Sequence, residues 1–77
     1  MADPCVHSVS ECDFYDEFPG FEASYIIKPR TRALLVRVTV PAVNIDKVKY
    51  FVFHEAPDVK TIHAFVRHVA EEVRELI

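Results

Sequence analysis

Residues 21–40 read FEASYIIKPRTRALLVRVTV, two alternating runs parted by a proline. Phe21, Ala23, Tyr25 and Ile27 alternate with Glu22, Ser24, Ile26 and Lys28, the two-residue period of a strand. Pro29 has no backbone donor and a fixed φ, so residues 28–32 predict a turn. A second strand over 33–40 then sets Leu34, Val36, Val38 and Val40 against Leu35, Arg37 and Thr39. Two alternating runs around a proline turn make a hairpin.

Outward from the hairpin, Pro41 stops the second strand and residues 41–46 connect to a third, over 47–54. There Val48, Tyr50 and Val52 stand together, opposite Lys49, Phe51 and Phe53. The last segment predicts a helix that starts beside Pro57 with Asp58 as N-cap. Val59, Ile62, Val66, Val69, Val73 and Leu76 recur at helical spacing and form one apolar stripe, which Phe65 and Ile77 widen. Arg67 and Glu71 stand four residues apart, a pair worth about 0.2–0.5 kcal/mol on an isolated helix. Residues 1–20 show neither period and carry Phe14, Tyr15 and Phe18 among acids, an irregular arm with aromatic anchors. The expectation is an α+β fold in which a three-stranded antiparallel meander carries one C-terminal helix on one face. The arm spans 1–20 and the β-β-β-α domain spans 21–77.

Charge is sorted along this order. Residues 1–22 hold six carboxylates (Asp3, Glu11, Asp13, Asp16, Glu17, Glu22) and neither Lys nor Arg. Residues 23–50 hold Lys28, Arg30, Arg32, Arg37, Lys47 and Lys49 against Asp46 alone. With a mildly acidic remainder, the formal net charge is −3. That near-neutral balance hides an acidic arm and a basic hairpin region, an asymmetry that points to charged contacts within or outside the molecule.

At 77 residues and 51% hydrophobic content, the chain is apolar enough to fold but buries only about 60% of its unfolded surface. No run approaches the ~18 apolar residues of a membrane span, so no membrane partner is expected. The start lacks the basic and apolar regions of a signal peptide, which makes the cytoplasm the expected compartment, with reduced cysteines. No Gln and a single Asn beside abundant Val, Glu and Arg hint at a thermophilic source.

One helix can cover one sheet face. With Tyr25, Ile27, Leu34, Val36, Val38, Tyr50 and Val52 under it, Ile26, Leu35, Phe51 and Phe53 look out from the other side. Either Phe14, Tyr15 and Phe18 fold over that second face, or it is a protein interface of a homodimer or accessory subunit. The function expected is therefore protein contact, with no small-molecule substrate. The alternative is nucleic-acid contact through Lys28, Arg30, Arg32, Arg37, Lys47 and Lys49, with Phe51 and Phe53 as stacking platforms. An acidic chain without a recognition signature stands against it.

Cys5, His7 and Cys12 offer three of the four ligands a zinc ion takes, with Asp13 or His54 as a fourth. Without a Cys-x-x-Cys pair the pattern is weak, and no cofactor is expected. His63 and His68 are five residues apart on the helix, about 500° at 100° per residue, and do not share a face. Nothing assembles nucleophile, base and orienting group, so no enzyme is expected.

Overall fold

In the computed structural model, which describes residues 6–77, the two long hairpins have loops of the same build. Strand β2 (Glu22–Lys28) turns into β3 (Ala33–Val40) through Pro29, Arg30, Thr31 and Arg32, and the Arg32 N–H donates to the Pro29 carbonyl at 3.3 Å. Strand β3 turns into β4 (Ile45–Val52) through a short 3-10 turn at Pro41–Val43 and Asn44, whose N–H donates to the Pro41 carbonyl at 3.2 Å. Each loop opens with a proline that presets φ and closes on a left-handed residue, Arg32 at φ 51° and Asn44 at φ 56°. Asn is suited to that conformation. Arg is not.

A fourth strand precedes these three. Strand β1 (Val6–Ser8) pairs antiparallel with β2, giving the order β1-β2-β3-β4 with antiparallel neighbours throughout. Between β1 and β2 lies a short helix, α1 (Cys12–Glu17), so the segment expected to be irregular contributes two elements. Gly20, at φ 81°, makes the left-handed step that brings the chain out of α1 into β2. Helix α2 (Val59–Glu75) is capped where expected, with the Thr61 N–H donating to Asp58 Oδ1 at 2.8 Å. The fold is α+β, an antiparallel sheet with the C-terminal helix on one face.

The core lies between α2 and the sheet. Ile62, Val66, Val69, Ala70 and Val73 of α2 are buried against Ala23 of β2 and Leu34, Val36, Val38 and Val40 of β3. The stripe ends are bare instead: Val59, Leu76 and Ile77 are exposed. Phe14 and Phe18 complete the core on the helix side, packed together at 5.1 Å and each 1% exposed, with Val9 and Phe21 beside them. Burying two such rings is worth about 1.5–3 kcal/mol each, a large share of the margin of a 77-residue domain.

Strand β4 corrects one expectation. Partners across an antiparallel ladder point to the same face, and the four-residue loop sets Val40 opposite Ile45. Leu34 therefore pairs with Phe51, Val36 with Lys49, and Val38 with Lys47. Phe51 and Phe53 turn toward the helix and pack on the core, the Phe51 ring stacked on Phe65 at 4.3 Å. Val48, Tyr50 and Val52 take the opposite face, where they are 55%, 55% and 75% exposed.

Candidate functional site

The outer sheet face is ordered in four rows that cross the strands, read from the ladder partners. The first carries Glu22, Thr39 and Asp46, and the second Ser8, Ser24, Arg37 and Val48. The third is wholly apolar: Val6, Ile26, Leu35 and Tyr50. The fourth carries Lys28, Ala33 and Val52, and beyond it the turn presents Arg30 and Arg32. Acid at one end, cation at the other and an apolar band between them describe the whole face.

Ile26 and Leu35 lie on this face, as their alternation predicts, and both are half-buried by their neighbours. Phe51 and Phe53 do not join them, for the reason of loop parity given above. Their places are taken by Val48, Tyr50 and Val52, with Val6 added from β1. An even loop between two strands was the sequence signal that could have located the β4 residues; Val6, inside a segment without periodicity, had none.

Among the described residues, the aromatic anchors of the arm do not cover this face. Phe14 and Phe18 enter the core beneath α2, and the Tyr15 hydroxyl donates to the Val9 carbonyl. The arm is also tied to the helix by charge. Glu11 Oε2 lies 2.5 Å from His63 Nδ1, Glu11 Oε1 lies 3.3 Å from Arg67, and Glu17 pairs with Arg67 as well. Arg67 thus faces the arm rather than Glu71, and Arg74 sits over the Phe18 ring at 4.6 Å. Among the described residues, the acidic segment pairs with the helix and not with the basic hairpin.

The six hairpin cations divide into two groups. Arg37 Nε donates to Asp46 Oδ1 at 2.9 Å across the β3–β4 pair, and this bond holds the Asp46 carboxyl below its ordinary range. Lys49 and Lys47 stand on the helix side and reach Glu72, at 2.6 and 3.1 Å. Hydrogen bonds from Lys49 and then Lys47 bring the Glu72 carboxyl down to about 2. His68 Nε2 reaches the same carboxylate at 3.0 Å, whereas His63 turns to Glu11, so the two histidines serve different partners. Among the described residues Lys28, Arg30 and Arg32 have no carboxylate partner.

Two hollows dent the outer face. One of about 250 Å³ lies over Ser24, Ile26, Leu35, Arg37 and Val48; one of about 460 Å³ lies toward Ser8, Tyr15, Glu22 and Thr39. Both are lined by Val6, Ser24 and Arg37, which makes the middle of the face concave. Among the described residues no cluster of three or more His, Cys, Asp or Glu side chains converges as a metal ion requires. Cys5 lies outside the described residues; His7 stacks on Tyr25 at 5.1 Å, and Cys12 is exposed on α1. No helix among the described residues is long and apolar enough to cross a membrane. No family model matches the chain, and neither a curated protein nor a solved structure shows significant similarity to it.

Proposed function

We propose that this chain is a small, non-enzymatic protein-contact module, a homodimer or an accessory subunit, that binds through the outer face of its sheet. One observation carries the reading. The arm, the only described segment besides α2 that could cover a face, packs on the helix side, while Val48, Tyr50 and Val52 stay more than half exposed on the other. A solvated sheet face alternates to polar residues, and this one keeps an unbroken apolar row with a concave centre.

A paired capture tests it. Wild-type chain and a Tyr50→Lys/Val52→Lys variant are immobilised and offered both untagged wild-type chain and an extract of the native host. A partner retained stoichiometrically by wild type and lost by the variant supports the reading. Equal retention by both, or none by either, refutes it.

A second reading, nucleic-acid contact, draws on the exposed turn, where Lys28, Arg30 and Arg32 lack carboxylate partners among the described residues. It can no longer count Arg37, Lys47 and Lys49 as unpaired cations, nor Phe51 and Phe53 as stacking platforms. Retention on single-stranded or duplex nucleic acid that falls with salt, and that Arg30→Ala with Arg32→Ala removes, would favour it.

A further inference from the structure

We propose that the occupant of the outer face is a second copy of this chain, laid face to face with its strands reversed, so that Glu22 of each copy meets Arg30 of the other. The proposal rests on the reading of that face as a protein-contact surface and names its partner.

Symmetry and charge together select the arrangement. A closed dimer of identical chains places one patch on itself about a twofold axis. For two stacked sheets that axis lies between them and runs either along the strands or across them. Along the strands, each row faces its own kind, with the Glu22 end on its copy and the basic turn on its copy. Like charges then meet at both ends. Across the strands, the rows reverse, and the acidic end of one copy covers the basic turn of the other.

The register of β2 suits the second arrangement. Glu22 lies four residues before Ile26, about 13 Å at ~3.3 Å per residue; on the other side β2 ends at Lys28, and Arg30 follows in the turn just beyond it. An axis through the apolar row therefore stacks Ile26, Leu35 and Tyr50 on their own copies while Glu22 reaches Arg30. Arg37 and Asp46 already neutralise each other within the chain, so the pair is compatible with burial in the contact. Strands of 3, 7, 8 and 8 residues at ~4.8 Å spacing and ~3.3 Å per residue project to about 400 Å² per copy. About 800 Å² in total is the size of a weak, transient contact, and the dimer should dissociate on dilution.

Sedimentation of the full chain over a concentration series, at low and high salt, tests this with four variants. Wild type should shift from monomer to dimer. Tyr50→Lys, at the axis, should weaken association on the order of 100-fold. Glu22→Arg and Arg30→Glu should each weaken it about tenfold, less in high salt, and the double reversal should recover to within about threefold of wild type. Because residues 22 and 30 sit at opposite ends of their own hairpin, that recovery can arise only between chains. Circular dichroism checks folding, and Val52→Lys, at the most exposed site on the face, replaces Tyr50→Lys should that variant unfold.

Wild type that remains monomeric throughout overturns the proposal and leaves the contact reading to its own capture test. A dimer indifferent to Tyr50→Lys and Val52→Lys overturns both. A dimer broken by Tyr50→Lys but not rescued by the double reversal overturns the reversed arrangement.

Discussion

The two faces of the sheet are made of similar residues and have opposite fates. On the helix side Leu34, Val36 and Val38 have no exposed surface, and even the lysines of that side, Lys47 and Lys49, have an answering carboxylate in Glu72. On the outer side Ile26, Leu35, Val48, Tyr50 and Val52 stand outside the core that α2 covers. The difference lies in the allocation of cover, because α2 and the arm are both on one face. Apolar composition alone does not distinguish a core from a docking surface.

The largest way to break the contrast is a charge in the covered face. Val69 has no exposed surface, so Val69→Asp should cost about 3 kcal/mol or more, leaving the chain largely unfolded in a thermal melt. A melt like that of wild type would mean that α2 does not hold the core.

Adjacent residues of β4 sharpen the contrast. Phe51→Ala, which removes the ring stacked on Phe65, should cost about 2–3 kcal/mol, whereas Tyr50→Ala on the outer face should cost less than about 1 kcal/mol. Denaturant melts of the two proteins measure the difference. A reversed order would place β4 in the opposite phase.

A smaller effect separates the two loops. Arg32 and Asn44 hold the same left-handed conformation, which disfavours Arg but suits Asn. Arg32→Gly should stabilise by about 0.5 kcal/mol, strain relief outweighing the extra freedom of the unfolded chain, while Asn44→Gly should change little. Loss of stability in Arg32→Gly would show that its side chain contributes more than its backbone costs.

The smallest effect concerns the charged edge of the covered face. The Glu72 carboxyl lies at about 2 instead of its ordinary 4.5, held down by Lys49 and Lys47, with His68 also against it. A depressed carboxyl stabilises the fold above its unfolded value, and that contribution fades as pH falls from about 4.5 toward 2. Glu72→Gln should therefore flatten the stability profile over that acid window and leave its shape above pH 5 nearly unchanged, salt reducing the difference. An identical acid limb in both proteins would mean the lysines do not act through Glu72.

Much of this was legible in the chain. The period-two runs over 21–40, the helical stripe after Asp58 and the N-cap itself are local signals, set by neighbours a few residues away, and they reappear as β2, β3 and α2. Ile26 and Leu35 could be assigned to the outer face because both strands of that hairpin alternate clearly. The site was only half legible, because β4 is apolar in both phases: Ile45, Phe51 and Phe53 on odd positions, Val48, Tyr50 and Val52 on even ones. Hydrophobicity cannot choose between two apolar phases. Pairing with β3 through a four-residue loop can, and that choice also sends Lys47 and Lys49 to the helix side, where Glu72 answers them.

By itself, then, the sequence determined an antiparallel α+β fold and a surplus of apolar surface over what one helix can hide, since both follow from periodicity and composition. Where the aromatic anchors pack, how β4 is phased and which cations meet a carboxylate are settled in the folded structure. Those depend on residues far apart in the chain meeting: Phe14 and Phe18 beneath α2, Glu11 and Glu17 at Arg67, Phe51 against Phe65. Such long-range contacts are settled by competition for one limited core, and no local pattern records its outcome.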